Sequence, residues 1–443
     1  MTSRRYKWVM LALLGGAYFF HQADRAIFGV LTPYIESDLG LDKLEIGRIN
    51  TVLSWTIAAV TFFAGFVGDR FSRKWIITFS LMFWSLATMA MGVAGEWRFV
   101  GISLSAYAVV MLLRAFATGG GESFYGPASM SLIAAYHEKT RSLAFSINQG
   151  ALYLGLMLSG FLALKVFGFF GGWRPVFVAF GAAGLLLGVF FIWALKEAPD
   201  RTADRESRTA KSESRIVRSL ASYFLNPSAL LATTGFIAIV CVNNAYLFWA
   251  PTIFAERFGV EPVAAGAHAM FYHHLVAFGA ILFGGWLTDR FVGRCPRFRL
   301  GLQIVSLLAG AVALFCVGRG GTFAAAVTMT AGYGLARGLF EVNTHASVFD
   351  VVPADCRASV VGFMLLLAFF IGGWFSGDFM GGVLKHAGTE GCERAFTIMA
   401  GVYVVAAVCM AVSFFFTFRR AFVGHRQGQF GRLGDDRRTV ARA

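Results

Sequence analysis

A charge in the middle of a long apolar run costs at least a few kcal/mol unless it is paired or meets water. The charges inside this chain's apolar segments are therefore where chemistry is to be sought. Three polar residues fall within one helical turn near the start, His21, Asp24 and Arg25; His21 and Arg25 share a face and Asp24 lies beside it. A second group follows about ninety residues later: Arg114, then Gly119, Gly120 and Gly121, then Glu122. At 1.5 Å per residue Asp24 lies about 24 Å from Trp8, and Glu122 about 21 Å from Tyr136, so the two carboxylates sit at similar depth. Two acids and two arginines there suit binding of an anion together with uptake and release of protons, Asp24 and Glu122 carrying the proton and Arg25, helped by Arg114, the anion. The alternative is a pair of structural salt bridges, from Asp24 to Arg25 or Arg114, with no titration. The three glycines allow another helix to approach closely.

A third group, Arg337, Glu341 and His345, is spaced i, i+4, i+8 and so lies along one helix face. It reads equally as a ligand-binding stripe or as a ladder that satisfies itself. Asn148 with Gln149, Asn243 with Asn244, and Tyr272 with His273 and His274 are candidate hydrogen-bonding groups for a ligand, or else interhelical glue.

The elements that must hold these groups are membrane helices. The chain is 57% hydrophobic and 14% charged with 47 Phe among 443 residues, outside the make-up of a soluble domain. A crossing needs about 20 mostly apolar residues. Twelve candidates run through 8–34, 46–67, 75–94, 106–135, 142–167, 176–195, 230–250, 264–286, 300–317, 322–349, 359–384 and 395–418. The first apolar run is too long for a cleavable signal peptide and lacks a small-residue cleavage site. Of 39 Lys and Arg, 27 fall in the chain ends and alternate connections that an inside N-terminus places in the cytoplasm, and 9 in the others. Basic short loops stay inside, so both termini are predicted to be cytoplasmic. A basic inner surface facing anionic membrane lipid accounts for the net charge of +14 without any nucleic acid.

The expected organisation is an all-α membrane protein: a six-helix half at 1–195, a polar cytoplasmic linker at 196–228, a second six-helix half at 229–418, and a basic tail at 419–443. One turn recurs 220 residues on, about half the chain: Gly65, Asp69, Arg70 and Arg73 in the first copy, Gly285, Asp289 and Arg290 in the second. Asp69 is expected just beyond a helix end, pairing with an arginine such as Arg141, and Asp289 with Arg357, as a latch at one end of the molecule. The other reading of these charges is that they only set topology. The six cysteines have no paired spacing, and no metal site, cofactor motif or phosphate-cradling loop is present, which disfavours an enzyme or a primary pump.

Two six-helix halves, the repeated turn and the long inner linker resemble the major facilitator superfamily across essentially the whole chain. Ser72 stands where that family's turn has Gly. Asp24 with Arg25, Glu122 after three glycines, Pro127 with Ala128, and Arg141 resemble the organic anion transporters related to hexuronate, aldonate and sialic acid carriers. The run from Gly68 to Lys74 with Gly121, Glu122 and Ser123 is also similar to the spinster group. One departure is that Arg114 and Glu122 are eight residues apart rather than the family's seven; an interruption at Gly119 to Gly121 would absorb the extra residue. The resemblance implies a monomeric secondary transporter in a cell's inner membrane, a proton-coupled symporter of a small organic anion such as a sugar acid, working by alternating access. A spinster-like lysolipid transporter and a membrane sensor that binds without transporting are the alternatives.

Overall fold

The computed structural model describes residues 3–99, 102–137, 140–197, 223–295, 297–352, 356–387 and 390–418. The basic tail and most of the linker lie outside them. Among the described residues twelve long helices form two halves of six. The first half holds α1 (Ser3–Leu39), α2 (Lys43–Arg70), α3 (Arg73–Ala90), α4 (106–136), α5 (Arg141–Phe170) and α6 (Trp173–Ala194). The second holds α7 (Pro227–Phe258), α8 (Pro262–Val292), α9 (Phe298–Arg319), α10 (Phe323–Glu341), α11 (357–387) and α12 (391–417). A two-stranded hairpin, β1 (Trp97–Phe99) with β2 (Ile102–Leu104), tops the connection between α3 and α4.

The helix starts are written locally. Ser72, Ser105 and Thr322 cap α3, α4 and α10 by accepting a backbone N–H two or three residues on, and Asn226 and Glu261 do the same before Pro227 and Pro262 at the first turns of α7 and α8. Ser72 thus supplies a side-chain cap that a glycine at that position could not. By length and composition, eight helices among the described residues can cross a membrane. Those that fall short include α1, α4 and α10, whose mean hydropathy is lowered by the charges, glycines and hydroxyl residues that make them interesting.

The halves meet along α1 with α7, α2 with α11, and α5 with α8. Bare backbone makes these crossings possible. A Cβ on Gly29 would stand 2.9 Å from the carbonyls of Leu247 and Phe248, and one on Gly160 would stand 2.9 Å from the Ala267 nitrogen; Gly377 faces Thr51 and Gly47 more closely still. These contacts all lie toward the end of the molecule that carries the α1–α2 turn, here the distal end. There the halves are tied by ion pairs: Asp42 to Lys385 at 2.7 Å, Lys43 to Glu256 at 2.7 Å and Arg48 to Asp378 at 3.1 Å. Hydrogen bonds from Asn50 to Ser376 at 3.1 Å and from Trp55 Nε1 to the Phe370 carbonyl at 2.9 Å continue the seam inward. At the opposite, basic end the described bonds run within one half. Tyr136 donates to the Glu197 carbonyl at 2.7 Å, and Arg299 holds Asp350 through both carboxylate oxygens at 2.8 and 2.9 Å.

Three expectations change. The tenth segment is not one helix through Phe349: α10 ends at Glu341, turns at Val342 and Asn343, and resumes as a short helix Thr344–Phe349. Asn343 spends its amide on Thr288 Oγ1 at 3.0 Å, the kind of side-chain bond that competes with helix continuation. Asp69 lies in the last turn of α2 rather than beyond it, and Asp289 and Arg290 lie inside α8, because each helix runs on through the turn motif. The side chains of Asp69 and Arg70 are outside the described residues, and Gly65 is helical.

Candidate functional site

The first-half charges converge. His21 Nε2 and Arg25 Nε, one turn apart on α1, approach the same oxygen of Glu122 on α4, at 3.8 and 3.7 Å. Both separations exceed hydrogen-bonding distance, and neither Glu122 carboxylate oxygen has a hydrogen-bond partner although the side chain is buried. Asp24 is buried beside them; Thr88 Oγ1 of α3 donates to its Oδ2 at 3.3 Å, its Oδ1 is unpartnered, and among the described residues it forms no ion pair. Arg25 is the exception to this burial, its side chain 25% exposed. A charge at this depth that is exposed must face water rather than lipid.

Local sequence explains how α4 reaches this point. A Cβ on Gly119 would stand 2.8 Å from Leu53 Cδ1, and one on Gly121 2.9 Å from Phe83 Cδ1 and 3.1 Å from Trp84 Cβ. The glycines let α4 seat between α2 and α3 and carry Glu122 inward. The eight-residue spacing is absorbed just before them: Met111–Thr118 is a π-helical stretch, in which Thr118 Oγ1 bonds the Leu113 carbonyl at 2.9 Å and the Gly119 N–H reaches back to Arg114. Arg114 lies inside that stretch. It is buried, donates from Nη2 to the Arg25 carbonyl at 3.2 Å, lies over the Phe28 ring at 5.1 Å, and is within electrostatic reach of Asp24 and Glu122. It is buried behind the cluster, while Arg25 is the cluster's partly exposed cation.

The second-half stripe keeps two of its three members. Arg337 Nη2 lies 3.1 Å from Glu341 Oε2, and its Nη1 donates to His273 Nε2 at 3.2 Å, so the His273 proton resides on Nδ1. His345 follows the break in the helix, is exposed, and stacks on Phe349. His273 packs against Tyr333 and Tyr246 at 4.7 and 4.8 Å between ring centres. Tyr272, one residue away and therefore rotated off that face, is exposed and stacks on His268 instead.

The remaining candidates separate by exposure. Asn148 is fully buried with neither amide atom partnered, whereas Gln149 is exposed. Asn243 and Asn244 are half-buried, and Asn243 Oδ1 has no partner. In the turn motif Arg141 Nη2 donates to the Ala134 carbonyl at 3.4 Å and Arg73 is half-buried. Gly285 lies 3.5 Å from Val342 Cγ2, measured from the Cβ it lacks. Arg357 is not brought to Asp289: it donates to the Phe349 carbonyl at 2.8 Å, while Asp289 and Arg290 are exposed and Arg299 with Asp350 makes a half-buried pair at this end. Among the described residues no cluster of His, Cys, Asp and Glu could hold a metal.

Two residues that sequence reasoning missed complete the site. Tyr153 of α5 donates to Glu341 Oε2 across the halves at 2.9 Å. Tyr18 packs at 5.6 Å from His21 and lies within electrostatic reach of Arg25, Glu341 and Tyr153. Tyr18 could have been found, since it precedes His21 by three residues and Arg25 by seven on the same helix face. Tyr153 could not, because nothing local announces a partner 188 residues away.

Twelve helices in two matched halves around buried opposite charges define a multi-pass membrane carrier. Residues 14–377 match the Major Facilitator Superfamily, and the chain belongs to that superfamily of secondary transporters, which are not enzymes. It is 24% identical over 395 residues to the hexuronate transporter of Bacillus subtilis, covering 87% of this chain and 90% of that one. It is 26% identical over 254 residues to protein spinster homolog 1 of Xenopus tropicalis, covering 56% of this chain and 46% of that one. In three dimensions it superposes on a bacterial homolog of the human lysosomal transporter spinster, solved in an inward-facing, unoccupied conformation. The TM-score is 0.77 at 20% identity, with 95% of this chain and 98% of that one covered, a likeness of fold.

Proposed function

We propose that the protein is a proton-coupled symporter of a small organic anion, such as a sugar acid, acting as a monomer in a cell's inner membrane by alternating access. The observation that carries this is Glu122, a buried carboxylate held between His21 and Arg25 with no hydrogen bond of its own. With Asp24 and Glu122 ionised, two acids balance Arg25 and Arg114. A proton on Glu122 leaves the exposed Arg25 with excess positive charge, which favours a carboxylate ligand; departure of that ligand favours loss of the proton. Proton and anion thus load together with little change in net charge. The name of the hexuronate relative supports an organic acid as the class of substrate.

The basic loops support a cytoplasmic basic end with both termini there, and division of the halves at a cytoplasmic linker spanning 196–228. On that orientation the described state is shut toward the outside by the distal ion pairs and faces inward. Asn148, Asn243, Asn244 and His273 are proposed to read the rest of the ligand, with Gln149 and Tyr272 as flanking groups.

Glu122→Gln tests the coupling. It mimics the protonated acid, so exchange of labelled substrate between the two sides should persist while uptake driven by a pH gradient collapses. Gradient-driven accumulation retained by the same purified variant removes Glu122 as the coupling acid and moves that role to Asp24.

A further inference from the structure

Two charged side chains of the two clusters are partly exposed within long apolar helices, Arg25 at 25% in the first half and Glu341 at 32% in the second. Each must face water, since neither could face lipid. Tyr18, which packs on His21 at 5.6 Å, lies within electrostatic reach of both. Glu341 is not a free negative charge: its Oε2 already takes the Arg337 guanidinium at 3.1 Å and the Tyr153 hydroxyl at 2.9 Å. A carboxylate so neutralised has little to offer an ammonium group, which would shed water for no net counter-charge. It remains a strong acceptor for a neutral hydroxyl, and a hydroxyl is what it holds.

Tyr153 is also a tie between the halves. Gly160, seven residues farther along α5, is where α5 and α8 touch at the backbone. At 1.5 Å per residue, Tyr153 sits about 10 Å from that contact toward the basic end, where it still packs on His274 and Phe278 of α8.

Building on the organic-anion reading above, we propose that Glu341 is a specificity-determining residue that accepts a hydrogen bond from a ligand hydroxyl, and that Tyr153 occupies this position when the ligand is absent. A ligand with its carboxylate on Arg25 and a hydroxyl toward the second half displaces Tyr153 from Glu341. Binding and the untying of α5 from α10 are then one event, and an acid without hydroxyls binds without releasing the tie.

The test uses the full-length purified protein and three six-carbon monocarboxylates: gluconate, hexanoate and 6-aminohexanoate. Tyr153→Phe removes the competitor, so gluconate affinity should rise about five- to tenfold, the worth of one net hydrogen bond, with hexanoate unchanged. Glu341→Gln should reduce the preference for gluconate over hexanoate by a similar factor; should that variant not fold, Tyr153→Phe carries the test. Equal shifts for gluconate and hexanoate in Tyr153→Phe overturn the proposal, as does tighter binding of 6-aminohexanoate than of gluconate to the wild-type protein. If none of the three acids binds, the organic-anion reading falls and this inference with it. If they bind with discrimination unchanged in both variants, only this inference falls.

Discussion

The two halves carry similar charges held in opposite ways. Around Glu122 the Arg25 guanidinium and the His21 ring stand 3.7 and 3.8 Å off and the carboxylate makes no hydrogen bond; around Glu341 the guanidinium and a phenol hydroxyl close to 3.1 and 2.9 Å on one oxygen. The loose cluster can gain a proton or a ligand without breaking a bond. The tight one must exchange one partner for another. On the proposed reading, the pseudo-symmetric halves divide labour, the first changing charge and the second holding geometry.

The largest expected effect tests that division directly. Removing Arg337 leaves Glu341 without its cation and His273 without its donor, so Arg337→Ala should lower stability by about 3 kcal/mol, seen as a fall in the melting temperature of the detergent-purified protein. Glu122→Gln should fold normally. Equal melting temperatures for the two variants would erase the distinction between the clusters.

Next in size is the loss of anion binding. Arg25→Ala should weaken binding of a carboxylate substrate about a hundredfold, while Arg25→Lys should recover part of that loss as a point charge without the planar fork. A titration by calorimetry decides it, and normal binding of a neutral or zwitterionic lipid by Arg25→Ala would favour the spinster-like alternative.

The smallest effect is expected at the distal end, where the inter-half ion pairs are partly exposed and each is worth about 0.5 kcal/mol. Such weak ties suit a state that must reopen. Asp42 accepts from Lys385 and from the Glu45 and Leu44 backbone N–H groups, and these hold its carboxyl below the usual value. The tie is therefore complete above the ordinary carboxylate range, about pH 4, and is lost as pH falls through the depressed value. Labelling of a Ser376→Cys reporter on the distal seam should stay flat from pH 8 to about pH 5. Asp42→Asn keeps the helix cap but loses the charge, and should raise labelling about two- to threefold at neutral pH. A pH-dependent rise between 8 and 5 would place the latch elsewhere.

Much of this molecule was legible before its structure. The apolar runs, their number and the shared face of His21 and Arg25 depend on helical periodicity and the cost of burying charge, and both act locally. The expectation that Asp24 and Glu122 lie at similar depth came from counting residues at a fixed rise. The fate of His345 was not legible, since the i+8 spacing assumed a helix that Asn343 interrupts for the sake of Thr288. Nor was the site of the extra residue in α4, which the π-helical stretch takes up ahead of the glycines rather than at them. The expected partnership of Asp289 with Arg357 failed for a related reason: α8 continues through the turn and presents Asp289 to the outside of the protein.

By itself the amino-acid sequence determined that this chain crosses a membrane many times, that it is built from two related halves, and which buried charges demand an explanation. Each of those follows from composition, period or the price of a charge in an apolar medium, all properties of a stretch of chain. Only the tertiary structure decided which of those charges touch. Arg48 meets Asp378 across 330 residues and Tyr153 meets Glu341 across 188, because two helix bundles docked along glycine-bared crossings bring them together, and no local preference of either residue could have specified that meeting.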